Sequence, residues 1–554
     1  MSTVGLDSLE TLFGDPFDEG NPVGFAGVLD ADERAVPLAD GELLLDKWGF
    51  NHAFVPRSLG GRWTGTDELA RSLRPVFRRD PALGLGYGVT SLMAAVNVWA
   101  AGSPGQRQKV AGDLLAGRRI AVAFHELAHG NDFLRNEFRA RTTGDQVVLS
   151  GTKQVINNIE RAESLVLFAR SADAPGPRAH STLLIDKRHL PEGSVRYLPR
   201  FATSGMRGCH LGGIAFDDAV VGTDTLVGEP GQGVETALRA FQVTRAALPG
   251  MAIGILDSAL HLTHDFATGR KLYGCSVADL PYARGALAAA FTDVLIADCL
   301  STAVSRGLHL APGASSAPAA AVKYLVPLLL EEAQHELSVI LGARSYLREG
   351  RHAAFAKFSR DLPLVSIGHA GATSCLLTVL AQLPALAKGS RHADTGPLTG
   401  LFDTALALPE LDLGRLSLTV SAPDPLMATL ARVRADEGGL PGLFATALAK
   451  LHALSLRLPV RELGPLAGPD AFGLTKRYTV LLAAAACLGT QQSATSGFLS
   501  DPLWLTAALT RLAARLGHGD GVLADELVEP LFRELTTRVD QRLSCGLDRS
   551  PIFG

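Results

Sequence analysis

Between residues 120 and 170 the chain carries short runs rich in Val, Ile, Leu and Phe. These runs are IAVAF, QVVLSGTKQVI and ESLVLFAR, broken by TTGD at 142–145 and by NNIERAE at 157–163. Apolar runs of this length punctuated by turn residues read as a small antiparallel β region. On either side the pattern changes to apolar residues three and four apart, the spacing of helices, so a β island must be housed in a mostly helical chain.

Four regions follow from the pattern. Residues 1–119 hold helical stretches such as TDELARSLRPVFRR and glycine-marked turns. Residues 120–232 are the β region, ending in HLGGIAFDDAVVGTDTLVG, and GEPGQG at 228–233 turns the chain onward. Residues 233–384 return to the helix period as a bundle, with a loop expected at 307–320 and a last long helix expected to stop at Gly350. GSRHADTGPLTG at 389–400 has the composition of a flexible connector, and residues 385–554 read as a further all-helical domain. A chain of 554 residues exceeds the roughly 300 at which a single core stops growing, so several domains are expected.

Composition excludes several classes. A net charge of −4 gives no basic footprint for nucleic acid. Residues 1–30 lack a basic start and an apolar core and do not read as a secretory signal. No continuous apolar run approaches the roughly 20 residues of a membrane span, so none is expected. Cys209, Cys275, Cys299, Cys375, Cys487 and Cys545 show no paired spacing, which fits a reducing cytoplasm and offers no zinc knuckle.

The segment HELAH, His125 to His129, is a literal H-E-x-x-H, which binds zinc when both His share one helical face. Strand-like residues precede it and Gly130 follows at once, so the host helix is missing and no metal site is expected. His261, His264 and Asp265 lie close on a predicted helix and read as satisfied core or surface groups. Arg239 and Arg245 are expected to pair with carboxylates.

The ordered series AVAFHELAHGNDF, GTKQVINN, LLIDK, GMRGCHLGGIAFDDAVV, LVGEPGQG, ATGRKLYG and ILGARSYLREG resembles the acyl-CoA dehydrogenase superfamily over residues 40–380. The resemblance implies an α+β fold: an N-terminal helical domain, a middle antiparallel β domain and a C-terminal helical bundle, here with an additional helical domain. It implies FAD between the β domain and the bundle, an acyl-CoA or acyl-carrier-protein substrate, and a homodimer or homotetramer.

Residue by residue, the resemblance places Phe124, His125 and Asn131 on a loop that faces the flavin, with Glu126, Gly130 and Asp132 shaping it. Val155 and Asn157 stand where relatives line the flavin ring with an aromatic and a threonine. Arg270 matches an arginine that reaches the pyrophosphate across a subunit contact, and Leu341, Gly342 and Ala343 occupy a stretch that touches the neighbour's dinucleotide. The family's catalytic carboxylate lies eight residues after an Arg-Asp aspartate; in SRDLPLVSIGHAGAT that position holds His369, eight after Asp361. The alternative family position falls near Thr244, also not a carboxylate. Imidazole titrates near pH 7, so His369 is the candidate base. The expected function is a flavin-dependent acyl-thioester oxidoreductase; the alternatives are a flavin monooxygenase of the same fold and a repurposed, non-redox scaffold.

Overall fold

A computed structural model describes residues 8–389, 398–434 and 438–553. Helices fill the chain up to Leu115, strands run from Ile120 to Val227, and long helices begin at Gly233. Eight strands, β1 (Ile120–Ala123), β2 (Arg139–Thr143), β3 (Gln146–Asn157), β4 (Ser164–Arg170), β5 (His180–Asp186), β6 (Val195–Leu198), β7 (Leu211–Gly222) and β8 (Leu226–Val227), form one sheet. The order is β6-β7-β3-β2-β4-β5-β8, with β1 on β4. Most pairs are antiparallel, as the hairpin signals predict. The exceptions both involve β4: β1 runs parallel to it because the chain leaves β1 through a long loop rather than a tight turn, and β2 meets it in parallel at Arg139 and Arg170.

Alternation along β4 decides what each face covers, since successive strand side chains point to opposite faces. Leu165 and Leu167 pack into the sheet's own small core with Val147, Leu149, Ile185 and Ile214, whereas Val166 and Phe168 join the main helical core. The sheet is therefore clamped on one side by helices.

The bundle is built from Gly233–Gly269, Pro281–Leu310, Ser316–Leu341 and Ala372–Leu380. Two expectations shift here. The break at 307–320 shrinks, because Pro318 sits in the first turn of the third helix, where no backbone N–H is required. That helix ends at Leu341 rather than Gly350, because Gly342 takes a φ of 56° and turns the chain. Gly254 lets the N-terminal helix Thr66–Arg79 lie directly on the first bundle helix: a Cβ there would stand 2.6 Å from the Arg74 carbonyl.

The expectation of no span-length apolar segment also needs correction. The helices Gly233–Gly269, Pro281–Leu310 and Pro469–Ser493 are long and apolar enough to cross a membrane by composition, but each spends that surface inside the protein core. Another such stretch, 354–380, is divided between three short helices.

The region after 398 does not form a core of its own. Leu481, Leu482, Trp504, Leu531 and Leu535 belong to the same continuous core as the bundle. Its last residues thread between N-terminal and bundle helices: the Cys545 N–H donates to Asp257 (2.9 Å) and the Leu547 N–H to Asp298 (2.8 Å), while Arg74 and Arg78 pair with those two carboxylates. The connector expected at 389–400 falls largely outside the described residues.

Candidate functional site

Strand β3 carries a register shift between Gln154 and Ile156, and the residue in the gap, Val155, has a φ of 58°. A bulge re-aims side chains, and a β-branched residue at positive φ is held there only by its surroundings. Here the bulge turns Val155 into a pocket of about 390 Å³, shared with His125, Asn157, Leu248 of the first bundle helix and the 364–369 segment. Thr90 and Met93 close it from the N-terminal helices. All three layers of the fold contribute to one apolar cavity.

The loop after β1 is braced by Glu126. Its carboxylate accepts the N–H groups of Glu137 (2.8 Å) and Phe138 (3.0 Å) and the ammonium of buried Lys153 (2.9 Å). Burial alone would raise this carboxyl, but Lys153 and the two N–H groups outweigh it and hold it below the usual range. Glu126 is thus structural, as the loop pattern implies. The loop is not helical, and His129 turns away to Glu137 (3.0 Å), so HELAH assembles no metal site.

Asn157 bridges two layers: its amide donates to the Leu85 carbonyl (3.1 Å) and to Thr90 Oγ1 (2.7 Å). Its Oδ1 is buried with no hydrogen-bond partner among the described residues. Such an acceptor costs free energy until a donor meets it.

His369 sits on a turn in which it and Ala370 adopt φ values of 48° and 63°. Lys323, buried in the third bundle helix, clamps the approach to this turn by donating to the carbonyls of Val365 and Gly368 (the latter at 2.9 Å). Asn131 lies beside the same turn, its Nδ2 3.2 Å from where a Cβ on Gly371 would stand. The imidazole Nε2 is 3.0 Å from Thr244 Oγ1, and the ring meets the edge of Phe241 at 4.8 Å. Burial, followed by the charges of Lys323, His125 and Arg245, pushes the His369 pKa down to about 3, so the ring is neutral at pH 7.

Arg245 and Phe124 depart from expectation, whereas Arg270 and residues 341–343, expected at a subunit contact, lie away from the pocket. Arg245 was expected beside a carboxylate; it is buried next to Thr244 with its Nε unsatisfied and its guanidinium 5.6 Å from the Phe241 ring. Phe124 does not line the pocket: its ring packs with Phe133, Phe168 and Phe241, and its carbonyl is taken by Lys153 (3.3 Å). Arg270 is exposed at the far end of the first bundle helix, roughly 40 Å along the axis from Thr244 at 1.5 Å per residue. Leu341 is buried, while Gly342 and Ala343 are exposed at the end of the third bundle helix, also outside the pocket lining.

Other readings hold. Arg239 pairs with Glu235 (2.8 Å). Asp361 is consumed by Lys357, Arg360 and the Met206 N–H. His261 bonds to the Leu543 carbonyl, His264 to Thr536 and Asp265 to Arg351 and His352, so these three share no ligand site. Lys323 and Thr90 were missed. The one signal for Lys323 was a lysine inside the apolar run AAAVKYLV.

Residues 231–383 match the acyl-CoA dehydrogenase C-terminal domain family. Among curated proteins, the mitochondrial isovaleryl-CoA dehydrogenase of Oryza sativa subsp. japonica is 23% identical over 252 residues, which is 45% of this chain and 61% of that protein. The chain thus spans about three-fifths of that relative's length. Two solved structures share the fold: butyryl-CoA dehydrogenase from Megasphaera elsdenii (TM-score 0.60, 19% identity, 68% of this chain and 97% of that one) and an acyl-CoA dehydrogenase complexed with FAD from Bacillus anthracis (TM-score 0.69, 17% identity, 93% and 89%). The broader cover of the second includes the helices after 398. The matched domain, the relatives and the solved structures agree: the chain has the acyl-CoA dehydrogenase fold, and its residues 231–383 match that family's C-terminal domain.

Proposed function

We propose that this chain is an FAD-dependent oxidoreductase acting on an acyl thioester carried on coenzyme A or a carrier protein, with His369 as the proton acceptor. The observation that carries the reading is the convergence of His125, Val155, Asn157 and His369 on one cavity between the sheet and the bundle. The residues fit the ring system of a flavin: the walls are apolar, and the orphaned Asn157 Oδ1 asks for an N–H donor from a ligand. When bound, the flavin supplies a two-electron acceptor for the hydride.

The chain's own residues then do the rest. Phe77, Met93, Met206 and Leu248 give the cavity buried apolar walls that exclude water. His369 faces it as a neutral base. Lys323 and Arg245 make its surroundings positive, which favours negative charge developing on the thioester as its proton leaves. The protein product is an imidazolium, unwelcome between two cations alone but balanced by the enolate formed beside it. Arg270 and residues 341–343 are too remote to serve their own pocket, and we assign them to the dinucleotide of a second copy in a homo-oligomer. Six free cysteines support a reducing, cytoplasmic setting.

A second reading, a flavin-dependent monooxygenase, is favoured by one observation: the basicity of His369 is strongly depressed. The deciding experiment is anaerobic mixing of the purified protein with butyryl-CoA or isovaleryl-CoA. An FAD spectrum that bleaches supports the dehydrogenase, and His369→Ala should slow bleaching by about 100-fold while leaving thioester affinity nearly unchanged. Equal rates in the two proteins would remove His369 from the chemistry. Bleaching only by an external reductant, followed by oxygen consumption, would support the monooxygenase, and a colourless protein that takes up no FAD would leave a non-redox scaffold.

A further inference from the structure

We infer that Thr244 is a positioning residue that holds His369 in the tautomer protonated at Nε2, so that Nδ1 is the atom presented to the reacting proton. This inference rests on His369 serving as the base. The argument starts from the hydroxyl. Thr244 Oγ1 lies 3.3 Å from the Phe241 carbonyl one turn back in its own helix and 3.0 Å from His369 Nε2. A hydroxyl has one proton to give. Given to the Phe241 carbonyl, it leaves only lone pairs for the imidazole, and Nε2 must carry the hydrogen.

The opposite arrangement has Thr244 donating to Nε2, which moves the imidazole hydrogen to Nδ1. Among the described residues the imidazole of His369 bonds through Nε2, to Thr244, and the nearby charged groups Lys323 and Arg245 are both donors. An N–H at Nδ1 would set a positive hydrogen beside two cations, which costs electrostatic free energy. A lone pair in that place faces a favourable field. The ring itself is fixed by three independent supports: the Thr244 bond, the Phe241 edge and the turn that Lys323 clamps.

In the transfer, the C–H bond beside the thioester carbonyl breaks and its electron pair stays on the substrate as the enolate. The proton forms a new N–H bond at Nδ1, and Nε2–H remains on Thr244 throughout. Thr244 therefore never gains or loses a proton; it selects which nitrogen works.

The test is ¹⁵N-histidine NMR on the full-length protein, with the His369 signals assigned as those missing from His369→Gln. Wild type should show a protonated Nε2 and an unprotonated Nδ1. Thr244→Val should lose this single tautomer and lower kcat for butyryl-CoA or isovaleryl-CoA about tenfold with KM little changed, and Thr244→Ser should restore both. A wild-type proton on Nδ1, or an unchanged tautomer in Thr244→Val, would overturn the inference. So would a tautomer shift with no change in kcat. Because the tautomer is read without turnover, failure here is distinguishable from failure of the His369 assignment, which the bleaching rates of His369→Ala decide.

Discussion

Val155 shows how a single residue can be legible in sequence and still surprise in structure. Its place in the cavity lining agrees with the resemblance carried by GTKQVINN, but its φ of 58° could not be read there, because β-branched residues rarely leave the extended region. The strain is held by the β3–β7 pairing on both sides of the bulge. Val122 lines the same pocket from ordinary strand geometry, paired with Val166. We expect Val155→Gly to be close to neutral in thermal stability, as roughly 1–2 kcal/mol of relieved strain offsets lost packing, while Val122→Gly lowers it clearly. Equal losses in the two variants would show that Val155 bears no strain. His125, Asn157 and His369, each inside a short motif, all line the cavity. Lys323 is not legible because its partners are distant carbonyls, and Arg245, expected beside a carboxylate, stands over the Phe241 ring instead.

At the scale of elements, the first bundle helix and the C-terminal tail form a lock that no local pattern announces. Asp257, His261 and Cys545 bring their polar atoms within 4.8 Å of one another, a spacing that suits a metal. The groups are already committed, however: Asp257 accepts from Arg78, Ser544 and the Cys545 N–H, and His261 Nε2 meets the Leu543 carbonyl at 3.0 Å. Burial pushes His261 down to about 4, and the pull of Asp257 only partly opposes it. The folded protein thus keeps this imidazole neutral where an unfolded chain binds a proton near pH 6.5. Its contribution to stability is full above about pH 6.5 and is lost as pH falls through about 4. His261→Gln should therefore flatten the fall of the melting temperature across that window, by a share on the order of 1–3 kcal/mol. Parallel melting curves for variant and wild type would refute the linkage.

For the whole molecule, the separation of Arg270 from the pocket is the decisive dimension. The first bundle helix carries Thr244 at the site and Arg270 at its far end, where the guanidinium makes no hydrogen bond or ion pair with the described residues. Exposed Leu272 and Tyr273 follow it, with Tyr346 and Leu347 also exposed after the third bundle helix. Arg270→Ala should lower FAD retention on gel filtration without altering the His369 tautomer; undiminished FAD content would show that the arginine does not hold the phosphates. The sequence by itself determined the β island within helices and the motif order that resembles the acyl-CoA dehydrogenase superfamily, because these are set by periodicity and by residues within a few positions of one another. Only the tertiary structure decided that the C-terminal region shares the bundle's core, that β1 runs parallel to β4, that Phe124 faces away from the pocket and that Thr244 meets His369. Those outcomes depend on side chains from tens to hundreds of residues apart competing for the same buried space, and no local spacing encodes which of them will meet.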